Sequence, residues 1–155
     1  MIVGRYSVAV DAQGRLIVPS AWHPDLGEGV VIIRDLSASG EHFLTALTQE
    51  AYNALINDFG HNPATDKRYA DASRSILQFA CSCRFDQKRR ISVDSDNLTY
   101  AGVTGNAVLT ANVWSNHPVF EIWEPSALER NNKAYDEFQL EEALRRNAEE
   151  IRNQK

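Results

Sequence analysis

The sequence predicts a mixed α+β chain in which a unit of strand, turn, three further strand segments and a helix occurs twice. The first observation is a repeat, because VDAQGRLIVP at 10–19 returns as FDQKRRISVD at 85–94. The second is periodicity, since apolar residues alternate near each turn and recur at helical spacing further on. The third is composition: 43% of the 155 residues are apolar and 24% are charged, as in an ordinary globular chain.

The first unit, residues 1–60, begins with two strands around a tight turn. Residues 6–10 alternate apolar with polar or small side chains, as a half-buried strand does. Asp11 can accept hydrogen bonds from the backbone after it, and Gly14 tolerates a positive φ, so both are predicted to shape the turn. The apolar residues 16–18 predict the second strand, which a proline ends.

The rest of this unit predicts two strands and a helix. Apolar runs at 30–33 and 43–47 predict the strands. Thr48 is a candidate N-cap for a helix that Gly60 ends. The apolar stripe of that helix has the spacing i, i+3, i+4, i+7 and consists of Tyr52, Leu55, Ile56 and Phe59.

A connecting helix is predicted within residues 61–80. Asn62 and Pro63 are the residue types of an N-cap and a first helical position. The apolar stripe of this helix consists of Tyr69, Ala72, Ile76 and Ala80.

The second unit, residues 81–124, repeats the order of the first. Strands are predicted at 81–85, 91–93, 107–110 and 119–123, with the second turn at 86–90 and further turns near 101–106. Phe120 and Ile122 are expected to face inward, and Trp114 and Trp123 to lie in the core or a subunit interface. A β unit this short leaves edges and an apolar face uncovered, so each unit is expected to complete the other.

A helical segment, residues 125–155, is predicted to end the chain. Ser126 and Glu129 have the spacing of a capping box, just after Pro125. The apolar stripe further along consists of Leu140, Leu144, Ala148 and Ile151.

Charge is distributed unevenly along the chain. The net charge is -5, and residues 1–90 hold ten basic and ten acidic residues whereas 91–155 hold six and eleven. A local basic patch lies at 84–90, so a polyanion would meet a patch and not a general positive field. Cys81 and Cys83 are too close for an easy bridge and lack a second ligand pair for zinc, which predicts packing in a strand and a reducing cytoplasm.

Enzyme chemistry has little support in the sequence. No nucleophile motif, phosphate loop, dinucleotide fingerprint or metalloprotease motif is present. The four histidines show no ligand spacing, so surface or loop positions are expected for them. We predict no catalytic residue, metal, cofactor, small-molecule substrate, signal peptide or membrane span.

The sequence resembles the MraZ family, whose chains contain two tandem swapped-hairpin units of the AbrB (SpoVT-AbrB) type. The resemblance is carried by GRYSVAVDAQGRLIVP near the start, DQKRRI at 86–91 and FEIWE at 120–124. It implies two pseudo-repeated β units of the swapped-hairpin or double-psi type, and rings of about eight subunits. It also implies a cytoplasmic, nucleoid-associated repressor that binds double-stranded DNA. Its expected site is a set of short direct repeats in its own promoter, in a bacterial division and cell-wall gene cluster.

The D-x-x-x-R motif of that family matches Asp11 and Arg15 in the first turn, and Asp86 and Arg90 in the second. The resemblance implies that both arginines contact DNA. The alternative for Arg15 is an ion pair with Asp11 inside the turn. The remaining DNA-contact candidates are Lys88 and Arg89, for which a solvated turn is the alternative, and, more weakly, Arg5. Asp11, Gly14 and Asp86 are expected to structure the turns.

The chain departs from the family pattern at three positions. Arg89 replaces the glycine of the first turn, so the second turn must adopt a negative φ or be strained. Asp94 stands where the first copy has Pro19, and His23 stands where family members usually carry an arginine. These departures, with the acidic total, support an alternative: a ring-forming interaction protein that has lost DNA binding.

Overall fold

The computed structural model describes residues 1–61 and 67–154 and confirms a mixed α+β fold with antiparallel sheets. The strands are β1 (Arg5–Ala9), β2 (Arg15–Ile17), β3 (Gly29–Leu36), β4 (His42–Leu47), β5 (Cys81–Arg84), β6 (Arg90–Ser92), β7 (Asn106–Trp114) and β8 (His117–Trp123). The helices are α1 (His23–Leu26), α2 (Gln49–His61), α3 (Lys67–Leu77), α4 (Ser95–Ala101) and α5 (Pro125–Asn153), and a short 3₁₀ turn covers Ser20–Trp22.

The strands of the two halves of the chain are interleaved. Six strands form one antiparallel sheet in the order β1-β7-β8-β4-β3-β5, and β2 pairs with β6 in a separate two-stranded ribbon. Thus β1 hydrogen-bonds to β7, with Arg5 pairing with Thr110, and β5 pairs with β3. Neither half of the chain therefore contains all the partners of its own strands.

The large sheet is covered on both faces. Phe120 and Ile122 of β8 are completely buried, as predicted, in the cluster that also contains Trp22. Trp123 lies on the opposite face, where its ring stacks on Phe43 at 4.2 Å between centroids. Each side chain of this size contributes about 1.5–3 kcal/mol when fully buried, so β8 is a main source of stability. Trp114 is half-buried and packs against the hydrophobic cluster that includes Ala51 and Leu55 of α2.

Helix starts agree with the sequence in one case and correct it in another. Thr48 accepts a hydrogen bond from the N–H of Ala51 at 3.1 Å, which confirms it as the cap of α2. The predicted capping box at Ser126 is wrong, because Glu124 caps α5 by accepting from the N–H groups of Ser126 and Ala127 at 3.0 and 2.8 Å. Pro125 then occupies the first helical position, where no N–H is needed.

The connecting segment is helical where the structure describes it. Helix α3 starts at Lys67, and Ile76 and Ala80 pack beside α2, whereas Ala72 is exposed. Helix α2 extends to His61, one residue past its predicted end. The predicted N-cap and first position at Asn62 and Pro63 lie outside the described residues.

Helix α4 was not predicted, because its sequence SDNLTYA contains few strong helix formers. Its stability comes from its ends and from packing. Asp94 accepts from the N–H of Asn97 at 3.2 Å, Gly102 ends the helix with φ 70°, and the Tyr100 hydroxyl donates to the Asp35 carbonyl at 2.9 Å. Asp94 therefore serves as a helix cap, just as Pro19 precedes the 3₁₀ turn at the matching place.

Within the described residues, the buried side chains of helix α5 lie near its beginning. Ala127 and Leu128 are buried, whereas the apolar residues Leu140, Leu144 and Ile151 are each about 60% exposed. The predicted stripe is thus on the helix but does not pack on the described part of the chain. Over residues 1–61 and 67–154, no helix has the length and apolar character needed to cross a membrane.

Candidate nucleic-acid interface

The first turn is closed by the carboxylate of Asp11. Its Oδ1 accepts from the backbone N–H of Gln13 at 3.0 Å and of Arg15 at 2.9 Å. Its Oδ2 accepts from Nε of Arg15 at 2.7 Å. The chain crosses back on itself through Asp11 N–H to the Arg15 carbonyl at 3.1 Å and Gly14 N–H to the Asp11 carbonyl at 3.0 Å. One carboxylate therefore fixes both the turn and the direction of the arginine.

The second turn repeats this arrangement bond for bond. Oδ1 of Asp86 accepts from the backbone N–H of Lys88 and of Arg90, both at 2.9 Å, and Oδ2 accepts from Nε of Arg90 at 2.8 Å. The backbone bonds from Asp86 and Arg89 are 3.0 Å each. The replacement of the turn glycine by Arg89 has thus not changed the hydrogen bonding of the turn.

Arg89 keeps the turn geometry by adopting a left-handed backbone. Its φ is 64°, against 77° for Gly14, so the second turn has the strained conformation and not a negative φ. Gly14 has no such freedom to change: a Cβ there would lie 2.3 Å from the carbonyl oxygen of Val93. The two turns are alike in shape, but only the second carries a side chain at this position.

The ribbon of β2 and β6 places the two arginines on one surface. Leu16 pairs with Ile91, and both side chains are buried beneath the ribbon. Because side chains alternate along a strand, the residues on either side of that pair point outward. We call this surface the outer face of the ribbon; it consists of Arg15, Ile17, Arg90 and Ser92.

The two turns lie at opposite ends of the ribbon. Arg15 pairs with Ser92 and Arg90 pairs with Ile17, so the arginines are diagonal neighbours, a relationship that separates them by about 7–8 Å. Each turn also bonds the opposite strand: Val93 N–H donates to the Gly14 carbonyl at 2.9 Å and Val18 N–H donates to the Arg89 carbonyl at 3.3 Å.

Each arginine uses only part of its guanidinium inside the turn. The ion pair of Arg15 with Asp11, foreseen as an alternative, is present, and it runs through Nε. The Arg15 side chain remains 35% exposed and that of Arg90 remains 23% exposed. Within the described residues, the bonds to the turn carboxylates are the only hydrogen bonds and ion pairs of these two guanidinium groups. Their Nη groups form a fork suited to phosphate or to a guanine edge.

The other candidate cations differ in position. Lys88 and Arg89 are exposed at the tip of the second turn. Arg5 begins the edge strand β1 and is exposed. Arg84 pairs with Glu28 at 3.3 Å, and both side chains are more than 80% exposed. The structure brings Arg15 and Arg90 together on the ribbon with Lys88 and Arg89 beside them, whereas Arg5 belongs to the large sheet.

Both turn carboxylates are held in their charged form. Hydrogen bonds from the backbone N–H groups of Arg15 and Arg90 contribute most to lowering the pKa of Asp11 and Asp86, respectively, and each guanidinium adds to the effect. Partial desolvation opposes this and is outweighed. At neutral pH both carboxylates are therefore ionised and can accept the hydrogen bonds that close the turns.

His23 is buried in α1, which corrects its expected surface or loop position. Its Nε2 lies 3.0 Å from the Val18 carbonyl, and its ring meets Phe85 edge-on at 4.9 Å. His23 therefore packs beneath the end of β2, and it is not exposed as an arginine that contacts DNA would be. A mostly apolar groove of about 630 Å³ runs in front of it, between β1 and the ribbon, with Tyr6, Ile17 and Arg89 in its lining.

The cysteines belong to the interior and not to a metal centre. Both are free, and Cys83 is buried with its thiol 3.2 Å from the Ser92 carbonyl. Burial raises the pKa of the Cys83 thiol to about 12. In the part of the chain that the structure describes, no three His, Cys, Asp or Glu side chains group together as metal ligands would.

Sequence comparison places this arrangement in a family. No protein-family model matches the chain. The chain is 31% identical over 123 residues to a protein of Leuconostoc citreum named transcriptional regulator MraZ, covering 79% of this chain and 80% of that protein. It is 32% identical over the same length to the protein of that name from Ligilactobacillus salivarius, with the same coverage.

A third relative with that name, from Limosilactobacillus fermentum, is 27% identical over 124 residues, or 80% of this chain and 81% of that protein. All three relatives are named as regulators of transcription and none as an enzyme. The chain belongs to the MraZ family.

Proposed function

We propose that the chain is a sequence-specific DNA-binding regulator that represses transcription. Its target would be short direct repeats in its own promoter, within a bacterial division and cell-wall gene cluster. The observation that carries this proposal is the outer face of the ribbon, where Arg15 and Arg90 are each oriented by a carboxylate that bonds Nε and does not occupy the Nη groups. A two-stranded ribbon fits the major groove, and an aimed guanidinium suits guanine.

The same geometry supports an internal repeat. Identical bonds close both turns, and strands of each half pair with strands of the other. We infer two AbrB-like units at 1–60 and 81–124, linked by 61–80 and followed by the C-terminal helix of 125–155. In this arrangement Asp11, Gly14 and Asp86 shape the turns, and Lys88 and Arg89 assist by contacting phosphates.

A ring would resolve the conflict between the acidic total and a polyanionic partner. The net charge is -5, yet the ribbon cations are clustered. Rings of about eight subunits would repeat this cluster along one rim, and linked weak contacts bind far more tightly than single ones. Direct repeats in DNA suit subunits that present one surface at a regular spacing. Such a protein would act in the cytoplasm, on the nucleoid.

The test is a gel-shift titration with the DNA upstream of its own gene. Arg15→Ala and Arg90→Ala should each abolish the specific shift, and binding by the wild type should weaken steeply with salt. Arg84→Ala is the matched control, since it removes the same charge from an exposed pair with Glu28 outside the ribbon. Equal losses in all three variants would refute the assignment to the ribbon.

A second candidate, an interaction protein that assembles but does not bind DNA, is favoured by the exposed apolar residues of α5. It predicts a stable oligomer with no shift of this DNA even at low salt. Light scattering on the sample used for the titration separates the two functions.

A further inference from the structure

The outer face of the ribbon carries one large apolar side chain among its polar ones. Ile17 is 56% exposed, although Leu16 and Val18 on either side of it are buried. It lies directly opposite Arg90 and two residues from Arg15 on the same surface. An isoleucine at this place does not contribute to the described core.

The chemistry around Ile17 matches a base edge better than it matches a protein surface. Arg90 lies directly opposite Ile17 and Arg15 precedes it by two residues on the same face, while Lys88 and Arg89 line the mostly apolar groove beside it. The outer face itself, with two arginines, one serine and one aliphatic side chain, is complementary to a major groove, which presents phosphates, guanine acceptors and the C5 methyl group of thymine. A partner protein would need several acidic groups around one apolar pocket to match it.

We propose that Ile17 contacts the C5 methyl group of a thymine next to the base pair contacted by Arg90. This inference rests on the proposed DNA binding and adds a specificity residue to it. The backbone spacing is suitable, because the Cα atoms of diagonal neighbours lie about 7–8 Å apart, close to two base-pair rises of about 3.4 Å. Ile17, directly opposite Arg90, then faces a base beside the one that Arg90 contacts.

The proposal also makes the ribbon directional. At one end of the ribbon Arg90 pairs with Ile17, and at the other end Arg15 pairs with Ser92. A ribbon with identical ends would read a palindromic step. With an apolar group at one end and a hydroxyl at the other, only the Arg90 end selects thymine, which gives each subunit one preferred orientation on the DNA. Direct repeats require this property.

The experiment compares two forms of one DNA fragment, the region upstream of the gene, amplified with either thymidine or deoxyuridine triphosphate. The two forms differ only by the C5 methyl groups. Wild type should bind the thymine form at least about threefold more tightly, the effect expected for burying one methyl group. Ile17→Ser should bind both forms equally, at about the affinity of wild type for the uracil form.

Three controls keep the result specific. Ile17→Val retains two methyl groups and should preserve most of the preference for thymine. Arg84→Ala, which lies outside the ribbon in an exposed pair with Glu28, should leave the preference unchanged. Each variant is checked for its melting temperature and for its mass by light scattering, both of which should match the wild type because Ile17 is exposed.

The outcomes separate this inference from the function it rests on. If wild type binds both forms with equal affinity, the thymine contact is refuted while DNA binding stands. If Ile17→Ser keeps the full preference for thymine, another residue contacts the methyl group and the inference is also refuted. If Ile17→Ser loses its assembly, Ile17 belongs to a subunit contact instead. If wild type binds neither form, the proposed function itself fails.

Discussion

Replacing Arg89 by glycine should stabilise the fold and weaken DNA binding at the same time. Arg89 has a φ of 64° in a turn that otherwise matches the one containing Gly14. A left-handed conformation costs an L-residue about 1–2 kcal/mol, and glycine is free of this cost. Glycine loses about 0.5–1 kcal/mol more than other residues through the entropy of the unfolded chain. The difference predicts a net gain of about 0.5–1 kcal/mol.

For a chain of this size, such a gain corresponds to a rise in melting temperature of about 1–4 °C. Calorimetry at neutral pH measures it. The matched variant is Arg89→Asn, which removes the charge but retains a residue tolerated in left-handed backbone, so it should change the melting temperature less.

The DNA measurement uses the dependence of log K on log salt. If Arg89 contacts one phosphate, both variants should lower that slope by about 0.9 for each subunit engaged, whereas Arg89→Lys should keep it. A glycine variant that melts at a lower temperature would refute the strain argument. A slope equal to that of the wild type would refute the phosphate contact. The two parts can fail independently.

Three further predictions concern the turns and the interior. Gly14→Ala should destabilise the chain by about 2 kcal/mol or more, since it adds a left-handed penalty and displaces a backbone hydrogen bond; chemical denaturation measures it, and an unchanged midpoint would contradict the 2.3 Å approach. Asp11 and Asp86 should titrate below the usual 3.8. Their stabilisation is therefore present above that value and is lost as the pH falls through the lower pKa of the folded state; carbon-13 NMR titration gives both values, and a normal pKa would exclude the bonded turns. In a Cys81→Ser variant, the remaining Cys83 should resist alkylation at pH 8 until denaturant is added, because burial, the largest cause of its raised pKa, is retained; rapid labelling of the native protein would show that the thiol is accessible.

Local sequence patterns predicted most of the strands and the cap at Thr48, because alternation and capping depend on neighbouring residues. They failed where a second residue nearby could also cap the helix. Glu124, and not Ser126, accepts hydrogen bonds from the first N–H groups of α5. Helix α4 depends on tertiary partners, such as the bond from Tyr100 to the Asp35 carbonyl, which a propensity scale does not include.

The candidate site shows the same division. The repeat identified Asp11, Arg15, Asp86 and Arg90, because a turn closed by its own carboxylate is a local structure. The sequence did not reveal that Ile17 lies opposite Arg90. That pairing joins residues 73 positions apart, and only the register of β2 and β6 defines it. Its one available signal was a strand alternation that leaves an isoleucine on the polar face.

The pairing of β1 with β7 has a consequence for how the chain is made. Arg5 meets Thr110, so the first strand must wait until most of the chain has left the ribosome before it finds its neighbour. At about 5–20 residues per second, that delay lasts about 5–20 s. Contacts this distant slow the search for the native state. During synthesis the early strands therefore expose unpaired edges, and we expect nascent chains stopped before β7 to be the species most prone to aggregate.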